Sequence, residues 1–278
     1  MSGTPGGVLI FKGMMKILDS LKLPEAALIS DLDDPQSTLI HRDIIRKKPF
    51  LKKLYLAFYR RLANGLQAVP PGAIVELGSG GGLLKDVLPE VITSDILFLP
   101  HVDVCFRVDQ SPFKNGSVSA FVMLNVFHHV KDTHAFFSEM DRCLRPGGKI
   151  VMIEPANSCW GRWVYQNFHH ETFDPSAGWG VEGEGALSCG NGALPWIVFR
   201  RDYGVFSQRY QRLVLKSFRP FGPLAYLLSG GVSFRQLLPT WGYSLVQGLE
   251  WLLSPLSPWL SMFYYIEVEK NLENQKGV

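Results

Sequence analysis

A glycine-rich turn that follows directly on a short apolar run constrains the fold of this chain more than any other feature. Residues 73–82 read AIVELGSGGG, where the apolar run is typical of a buried parallel strand and Glu76 ends it. Leucine and valine recur at helical spacing over residues 83–88, so the sequence predicts a strand, a glycine loop and a helix. Glycine is needed where the backbone takes a positive φ or lies against a ligand. The predicted helix would offer unpaired N–H groups to an anionic part of that ligand.

Two carboxylates indicate which ligand this loop would bind. A dinucleotide fingerprint, G-x-G-x-x-G, would need glycine at position 83, where this chain has Leu83. The spacing is instead E-x-G-x-G-x-G, and Glu76 at the strand end would repel a pyrophosphate but attract an ammonium group. The amino-acid end of S-adenosylmethionine carries an ammonium group beside its carboxylate. A second apolar run at residues 91–94 ends on Asp95, which we expect to accept hydrogen bonds from ribose hydroxyls.

Four motifs in this order resemble those of class I S-adenosylmethionine-dependent methyltransferases with a type 11-like domain. They are VELGSGGG at 75–82, SDI at 94–96, VDQSPFKNGSVSAFVMLNVFHH at 108–129 and RCLRPGGKIVMIEP at 142–155. The resemblance implies an α/β, Rossmann-like fold with a seven-stranded, mostly parallel sheet, and S-adenosyl-L-methionine as cofactor. By resemblance, Asp109 and Gln110 would contact the adenine. The cofactor-binding residues that we predict are Glu76, Gly78, Ser79, Gly80, Gly82, Asp95, Asp109, Gln110 and Asn125.

The chain length allows one large domain or two small ones. At 46% hydrophobic residues, the 278-residue chain has enough apolar material for a single core, so we expect one methyltransferase domain. Residues 1–70 would form an N-terminal helical arm and residues 71–156 the cofactor-binding core. Residues 157–278 would supply a substrate cap and the C-terminal strands.

The predicted arm contains a strongly basic stretch. Residues 7–21 have the spacing of an amphipathic helix, residues 24–40 are loop-like, and residues 41–66 interleave lysine and arginine with apolar side chains at helical spacing. One interpretation of the basic stretch is a solvated helix that packs on the core. The other is an interfacial segment that meets anionic lipid head groups.

Charge and cysteine usage restrict the partners and the compartment. The net charge of +3 is too small to argue for nucleic acid, so we predict no nucleic-acid partner. The four cysteines form no C-x-x-C pair and have no histidine at metal-ligand spacing, which indicates buried thiols in a reducing compartment without disulfides or zinc. No secretory signal is predicted, because no basic residue precedes the early apolar run. We expect a cytoplasmic protein, with contact to the inner face of a membrane as a hypothesis.

Candidate catalytic residues follow the predicted fourth strand, residues 120–124. The carboxyl ends of strands in an open α/β sheet line the ligand crevice, so Asn125, His128 and His129 should lie near the reacting methyl group. A histidine with a pKa of about 6.5 could take a proton from a substrate hydroxyl. The alternative is that one histidine of the pair caps or packs the following helix.

A second polar group precedes a glycine-rich loop at residues 178–192. His169, His170, Glu171 and Asp174 could suggest a metal site, but adjacent histidines cannot share one helix face, so we predict no metal. We favour a gating loop over the crevice, with His170 or Glu171 touching the substrate. His170 is therefore the third candidate catalytic residue.

The connections between strands depart from a regular alternation of strand and helix. Too few residues separate Asp95 from Asp109 to hold a crossover helix, so the sequence predicts a loop that leads to a third strand at residues 102–108. The turn RPGG at residues 145–148 should precede the fifth strand, residues 149–153.

An apolar insertion separates the predicted sixth and seventh strands, residues 211–217 and 263–269. Glu250, Pro255 and Pro258 interrupt its apolar run, which excludes a membrane-spanning helix of about 20 residues. Three interpretations remain: a cap buried for packing alone, a cap that deepens the substrate pocket, and a surface that lies on a bilayer. The last two favour an apolar or lipid-linked acceptor.

The sequence therefore predicts in-line methyl transfer from S-adenosylmethionine to a small, apolar or lipid-linked acceptor. A general base is needed only where the acceptor is a hydroxyl or an acidic carbon. One alternative is a non-catalytic adaptor that uses this fold to bind a membrane or a partner. A NAD-dependent oxidoreductase is disfavoured because Leu83 replaces the third glycine of its fingerprint. The oligomeric state does not follow from the sequence.

Overall fold

The computed structural model describes residues 20–169 and 171–272, and a seven-stranded sheet with helices on both faces organises them. The strand order is β3-β2-β1-β4-β5-β7-β6. Strands β1 to β5 are parallel, whereas β7 runs antiparallel to both β5 and β6. The predicted seven-stranded, mostly parallel sheet is confirmed. The strands are β1 Ala73–Leu77, β2 Ile92–Asp95, β3 Val104–Cys105, β4 Val118–Leu124, β5 Leu144–Pro155, β6 Leu213–Phe221 and β7 Phe263–Lys270.

Strand β4 lies at the centre of the sheet and separates two apolar layers. Val122 belongs to one core cluster with Phe50, and Phe121 belongs to the other with Phe137. This follows from the alternation of side chains along a strand. The main helices are α1 Pro35–Lys47, α2 Pro49–Gly65, α3 Thr133–Cys143, α4 Cys159–Phe168, α5 Tyr203–Arg209, α6 Ala225–Ser229 and α7 Gly242–Leu252.

The arm differs from the prediction in its boundaries. The basic stretch forms two helices rather than one, because Pro49 begins α2 and forces Lys48 into an extended conformation. The predicted loop at 24–40 is wrong in its second half, since α1 begins at Pro35 and the Asp34 side chain accepts a hydrogen bond from the amide of Gln36. The helix predicted over residues 7–21 falls almost entirely outside the described residues.

The helix predicted after the glycine loop is wrong. Only one 3₁₀ turn, Leu84–Asp86, follows the loop, and β2 already begins at Ile92. Pro89 lies between them and disfavours helical conformation in the residue before it. Leu83 and Leu84, which contributed to the helical spacing, instead pack fully into the core. The glycine loop therefore has no long helix whose N-terminus could bind an anion.

Two further boundaries differ. The connection from β2 to β3 is a loop, as predicted, but β3 has two residues instead of the predicted seven. Strand β5 begins at Leu144, so the predicted turn at 145–148 lies inside the strand, where the register shifts against β4. Gly147, with φ of +79°, accommodates this irregularity.

The insertion before the last strand is present and largely helical. Between β6 and β7 it forms α6, α7 and the short turns Ser254–Leu256 and Ser257–Leu260. Lys48 Nζ connects it to the arm by donating to the carbonyls of Gly231 and Phe234 at 2.6 and 2.7 Å. Within the described residues, no helix is both long enough and apolar enough to span a membrane.

Candidate active site

A cavity of about 390 Å³ opens at the carboxyl ends of the central strands. Its lining includes most of the predicted site residues, namely Gly78, Ser79, Gly80, Asp95, Asp109, Asn125, His128 and His129. Glu76 lies beneath this lining, next to Ser79 and Tyr59. Gly82 and Gln110 lie outside the lining residues.

The glycine loop has the backbone conformation that its glycines allow. Gly78 has φ of +62° and Gly80 has φ of +38°, in the left-handed region that other residues rarely adopt. A Cβ on Gly78 would lie 2.5 Å from Cγ2 of Val126, the residue after Asn125. The loop is fastened to β2 by hydrogen bonds between Ser79 and Ser94 in both directions.

Glu76 is the predicted partner of an ammonium group, and its environment fits that role. Its side chain is almost completely buried, and burial raises its pKa to about 8 against hydrogen bonds from Ser79 and Tyr59. The Oε2 atom of Glu76 has no hydrogen-bond partner among the described residues. An unpartnered buried carboxylate oxygen is costly unless a donor reaches it. The ammonium of S-adenosylmethionine is such a donor.

Asp95 and Asn125 present further polar atoms at the strand ends. Asp95 Oδ2 accepts from the amide of Gly80 at 3.0 Å and Oδ1 from the amide of Leu97 at 3.0 Å. Each carboxylate oxygen keeps acceptor capacity for a ribose hydroxyl. Asn125 has φ of +56°, and its buried Oδ1 has no hydrogen-bond partner among the described residues. Asp109 is held by Arg107 through two contacts of 3.0 and 2.8 Å.

Three cationic or imidazole side chains hold the carbonyl side of the glycine loop. Arg42 and Arg46 of α1 donate to the carbonyls of Gly81 and Gly82 at 3.4 and 3.3 Å. His101 Nε2 donates to the carbonyl of Gly80 at 2.9 Å. Sequence reasoning missed these contacts, because the basic residues of the arm are far from the loop along the chain. The basic pattern alone did not distinguish this role from a solvated face.

A histidine and carboxylate cluster closes the other end of the cavity. His128 Nδ1 donates to Glu154 Oε2 at 2.7 Å, and His128 Nε2 lies 3.1 Å from Glu171 Oε2. His129 Nδ1 donates to the carbonyl of Cys189 at 2.9 Å, and its Nε2 lies 3.7 Å from Glu171 Oε1. The two histidines that follow β4 therefore converge on Glu171.

The charges in this cluster argue against His128 as a general base. Burial lowers its pKa, but Glu171 and Glu154 outweigh that effect and raise the pKa to about 10. His129 has its pKa lowered by burial and by the neighbouring His128 cation. The pKa of Glu171 falls because His128 outweighs the effect of burial. Since both His128 nitrogens face carboxylates, the predicted proton-accepting role for His128 does not fit this geometry.

The other predicted residues of this region have different outcomes. His170 lies outside the described residues, so its predicted catalytic role stays a prediction. Glu171, which we expected only as a possible substrate contact of a gating loop, joins the two histidines after β4. The thiols are also less buried than expected, because Cys105 and Cys159 are exposed.

The wall between the cluster and the arm is mainly aromatic. Tyr55, Tyr165, Tyr226, Phe173 and Phe263 line it. Burial raises the pKa of Tyr226 to about 12, so its hydroxyl stays protonated at neutral pH. The cavity thus has a polar end at the glycine loop and an aromatic end beside Glu171.

We expect Glu76 to give the ligand-free protein a distinctive pH dependence. Its folded-state pKa of about 8 exceeds the ordinary 4.5, so the folded protein retains a proton that the unfolded chain releases. This stabilisation is fully present below pH 4.5 and is lost as the pH rises through 8. Between these two pH values the free energy of unfolding falls by about 1.4 kcal/mol per pH unit. Thermal unfolding of wild type and Glu76→Gln from pH 5 to pH 8 measures this. If the unfolding temperatures of the two proteins changed equally with pH, the folded protein would not retain a proton on Glu76.

Comparisons with known proteins give one family match and several similar solved structures. A family model described as a methyltransferase domain matches residues 75–152. The chain is similar to the geranyl diphosphate C-methyltransferase of Streptomyces coelicolor A3(2), whose crystal structure contains Mg²⁺, geranyl diphosphate and S-adenosyl-L-homocysteine. The two sequences are 19% identical, and the match covers 83% of this chain and 84% of that chain with a TM-score of 0.46. It is also similar to a SAM-dependent methyltransferase from Archaeoglobus fulgidus, at 13% identity, over 78% and 94% of the two chains, with a TM-score of 0.47. No curated protein matches the chain.

Proposed function

We propose that the chain is a class I S-adenosylmethionine-dependent methyltransferase, because a methyltransferase-domain model matches residues 75–152 and the seven-stranded sheet surrounds them, and that it transfers the methyl group of this cofactor to a small, apolar or lipid-linked acceptor. The observation that carries the acceptor class is the aromatic end of the cavity, formed by residues such as Tyr165, Tyr226 and Phe263. Charged or sugar-like acceptors would leave their polar groups without partners on such a wall.

The cofactor and the protein divide the chemistry. The sulfonium of S-adenosylmethionine makes its methyl group electrophilic without further activation. Glu76 and Asp95 would hold the amino-acid and ribose ends, and Asn125 would bind where β4 ends. The glycine loop is kept in place by Arg42 and Arg46 of α1. What remains for the protein is to align the acceptor with the C–S bond and to exclude water.

Methyl transfer to an apolar acceptor can be tested with methyl-labelled S-adenosylmethionine. Incubation with a lipid extract should place label in the organic phase, whereas an aqueous metabolite extract should not be labelled. Tyr226→Ser should lower the rate of labelling about tenfold or more, because it removes aromatic contact area, and should leave S-adenosylmethionine affinity unchanged. Label confined to water-soluble products would contradict the acceptor class. Failure of calorimetric S-adenosylmethionine binding would instead remove the basis of the proposal.

An exposed apolar surface on the insertion supports a peripheral contact with a bilayer. We name it the insertion face; its side chains are 44–78% exposed. Isolated exposed apolar residues are ordinary, but a contiguous group of tryptophan and leucine marks an interaction surface. The insertion face consists of Trp241, Leu245, Leu249, Trp251, Leu252, Leu256 and Trp259.

Basic side chains of α2 border this face. The charge of Arg60 acts on Tyr243, and that of Arg61 acts on Glu250 of α7. Arg61 also lies 4.0 Å from the ring centroid of Phe221. Apolar side chains beside arginine are typical of surfaces that bind anionic lipid head groups. We therefore infer that the insertion face rests on an anionic bilayer, where a lipid-linked acceptor would be present.

Flotation with vesicles tests the bilayer contact. At low salt the wild type should float with vesicles that contain phosphatidylglycerol and not with pure phosphatidylcholine. Trp251→Glu should weaken binding at least about tenfold, since it replaces a large apolar contact with a charge. Phe98→Glu is the matched control, because Phe98 is equally exposed but lies after β2, toward the opposite edge of the sheet. Equal flotation of both variants, or none for the wild type, would refute the contact.

A further inference from the structure

We propose that His128, His129 and Glu171 form a binding site for one divalent first-row transition-metal ion at the aromatic end of the cavity. The metal-binding step stands on geometry alone, while its role in the reaction rests on the proposed function. Neither the family match nor the sequence motifs assign this site.

The three side chains already converge at coordination spacing. One ligand atom from each side chain, a ring nitrogen of each histidine and a Glu171 carboxylate oxygen, can be chosen so that all lie within 4.8 Å of one another. The Nε2 to carboxylate distances are 3.1 Å for His128 and 3.7 Å for His129. Metal–ligand bonds of about 2.1 Å place neighbouring ligand atoms about 3.0 to 3.4 Å apart. A cation could therefore replace the proton between His128 and Glu171 with small side-chain movements.

The Nδ1 atom of each histidine, on the side of the ring away from Glu171, makes a contact that is typical of metal-bound histidines. Metal-bound histidine usually donates its other ring N–H to a carboxylate or a backbone carbonyl, which fixes the tautomer. His128 Nδ1 donates to Glu154 and His129 Nδ1 donates to the Cys189 carbonyl. Both Nε2 atoms are thereby directed toward Glu171. Glu154 is itself fixed by the amides of Val126 and Phe127 at 2.9 and 2.8 Å.

The donor set selects the class of ion. Two imidazole nitrogens and one carboxylate suit Zn²⁺, Co²⁺ or Fe²⁺, whereas Mg²⁺ and Ca²⁺ prefer oxygen ligands throughout. Three protein ligands leave at least one coordination position, and all three residues line the cavity. The open position would thus be available to the acceptor.

This site would extend the acceptor class to apolar molecules that carry a hydroxyl group. A cation lowers the pKa of a hydroxyl that it binds. The hydroxyl proton would pass to solvent, and the oxygen would attack the methyl carbon. The C–S bond breaks as the O–C bond forms, and its electron pair stays on sulfur, which becomes a neutral thioether. Atoms and charge balance without a further co-reactant.

Cobalt is the probe for the site, used with the chelator-treated full chain. Co²⁺ should bind at one equivalent and give visible d–d absorption without the thiolate charge-transfer band that the cysteines would produce. Glu171→Gln should weaken binding by more than about 100-fold, and Glu154→Gln by about 10- to 100-fold. His134→Ala is the matched control, because His134 pairs with Tyr210 away from the cluster and its loss should leave Co²⁺ affinity unchanged.

The outcomes separate this inference from the proposed function. S-adenosylmethionine titration of each variant reports whether the fold and the cofactor site are intact. No Co²⁺ binding by a protein that binds S-adenosylmethionine would overturn the metal site alone. A thiolate band, or equal affinity in wild type and Glu171→Gln, would also overturn it. Failure of S-adenosylmethionine binding with Co²⁺ binding retained would instead overturn the proposed function.

Discussion

Gly78→Ala is expected to weaken S-adenosylmethionine binding by about 100-fold. The new Cβ would lie 2.5 Å from Val126 Cγ2, and the positive φ at this position costs a residue with a side chain about 1 to 2 kcal/mol. The loop must move away from β4 to relieve the contact. A displacement of about 1 Å in binding groups can cost a factor of about 100. Isothermal titration with S-adenosylmethionine and S-adenosylhomocysteine measures the loss.

Gly116→Ala is the control for backbone strain. Gly116 has φ of +58°, but a Cβ there would meet no atom of the described residues within 4 Å. This variant should lose about 1 kcal/mol of stability and keep the wild-type cofactor affinity. If Gly78→Ala bound both ligands as the wild type does, the glycine loop would not be the cofactor site.

Glu154→Ala is expected to destabilise the fold by about 3 to 5 kcal/mol. The Glu154 carboxylate is completely buried and accepts from three backbone amides and from the His128 ring. Removing it leaves those donors unpaired beside a buried cation, which is the most costly way to break such a pair. Denaturant unfolding monitored by circular dichroism gives the change in free energy.

Two comparisons define the origin of that loss. Asp43→Ala removes an exposed pair with Lys47 of 3.6 Å and should have no resolvable effect. The double variant Glu154→Ala with His128→Ala should lose less than the sum of the single losses, because the buried cation is removed with its partner. Additive losses would show that Glu154 acts without His128.

The glycine loop and the strand ends beside it could be predicted because their signals are local. Gly78 and Gly80 mark a left-handed turn directly after a strand, and Asp95 ends the next strand. Each of these is encoded within a few neighbouring residues. The prediction of a helix after the loop was wrong. Leu83 and Leu84 fit helical spacing, but they are apolar because they are buried in a short turn before Pro89.

The cluster around Glu171 could not be predicted, since its contacts join segments that are far apart in sequence. As a metal ligand, Glu171 was considered with His169, His170 and Asp174, and the adjacency of the two histidines argued against a metal. Besides His169, its carboxylate meets His128 and His129, which lie more than 40 positions earlier. Spacing along the chain carries no information on such a meeting. The contact forms because the fold places the residues that follow β4 beside the loop that follows α4.

The junction between α1 and α2 has a thermodynamic consequence. On one side, α1 holds the carbonyls of the glycine loop through Arg42 and Arg46. On the other, Lys48 holds the insertion through Gly231 and Phe234. The junction of α1 and α2 therefore bonds both to the glycine loop and to the insertion that carries the insertion face. By linkage, any factor by which a bilayer changes cofactor affinity must equal the factor by which the cofactor changes bilayer affinity.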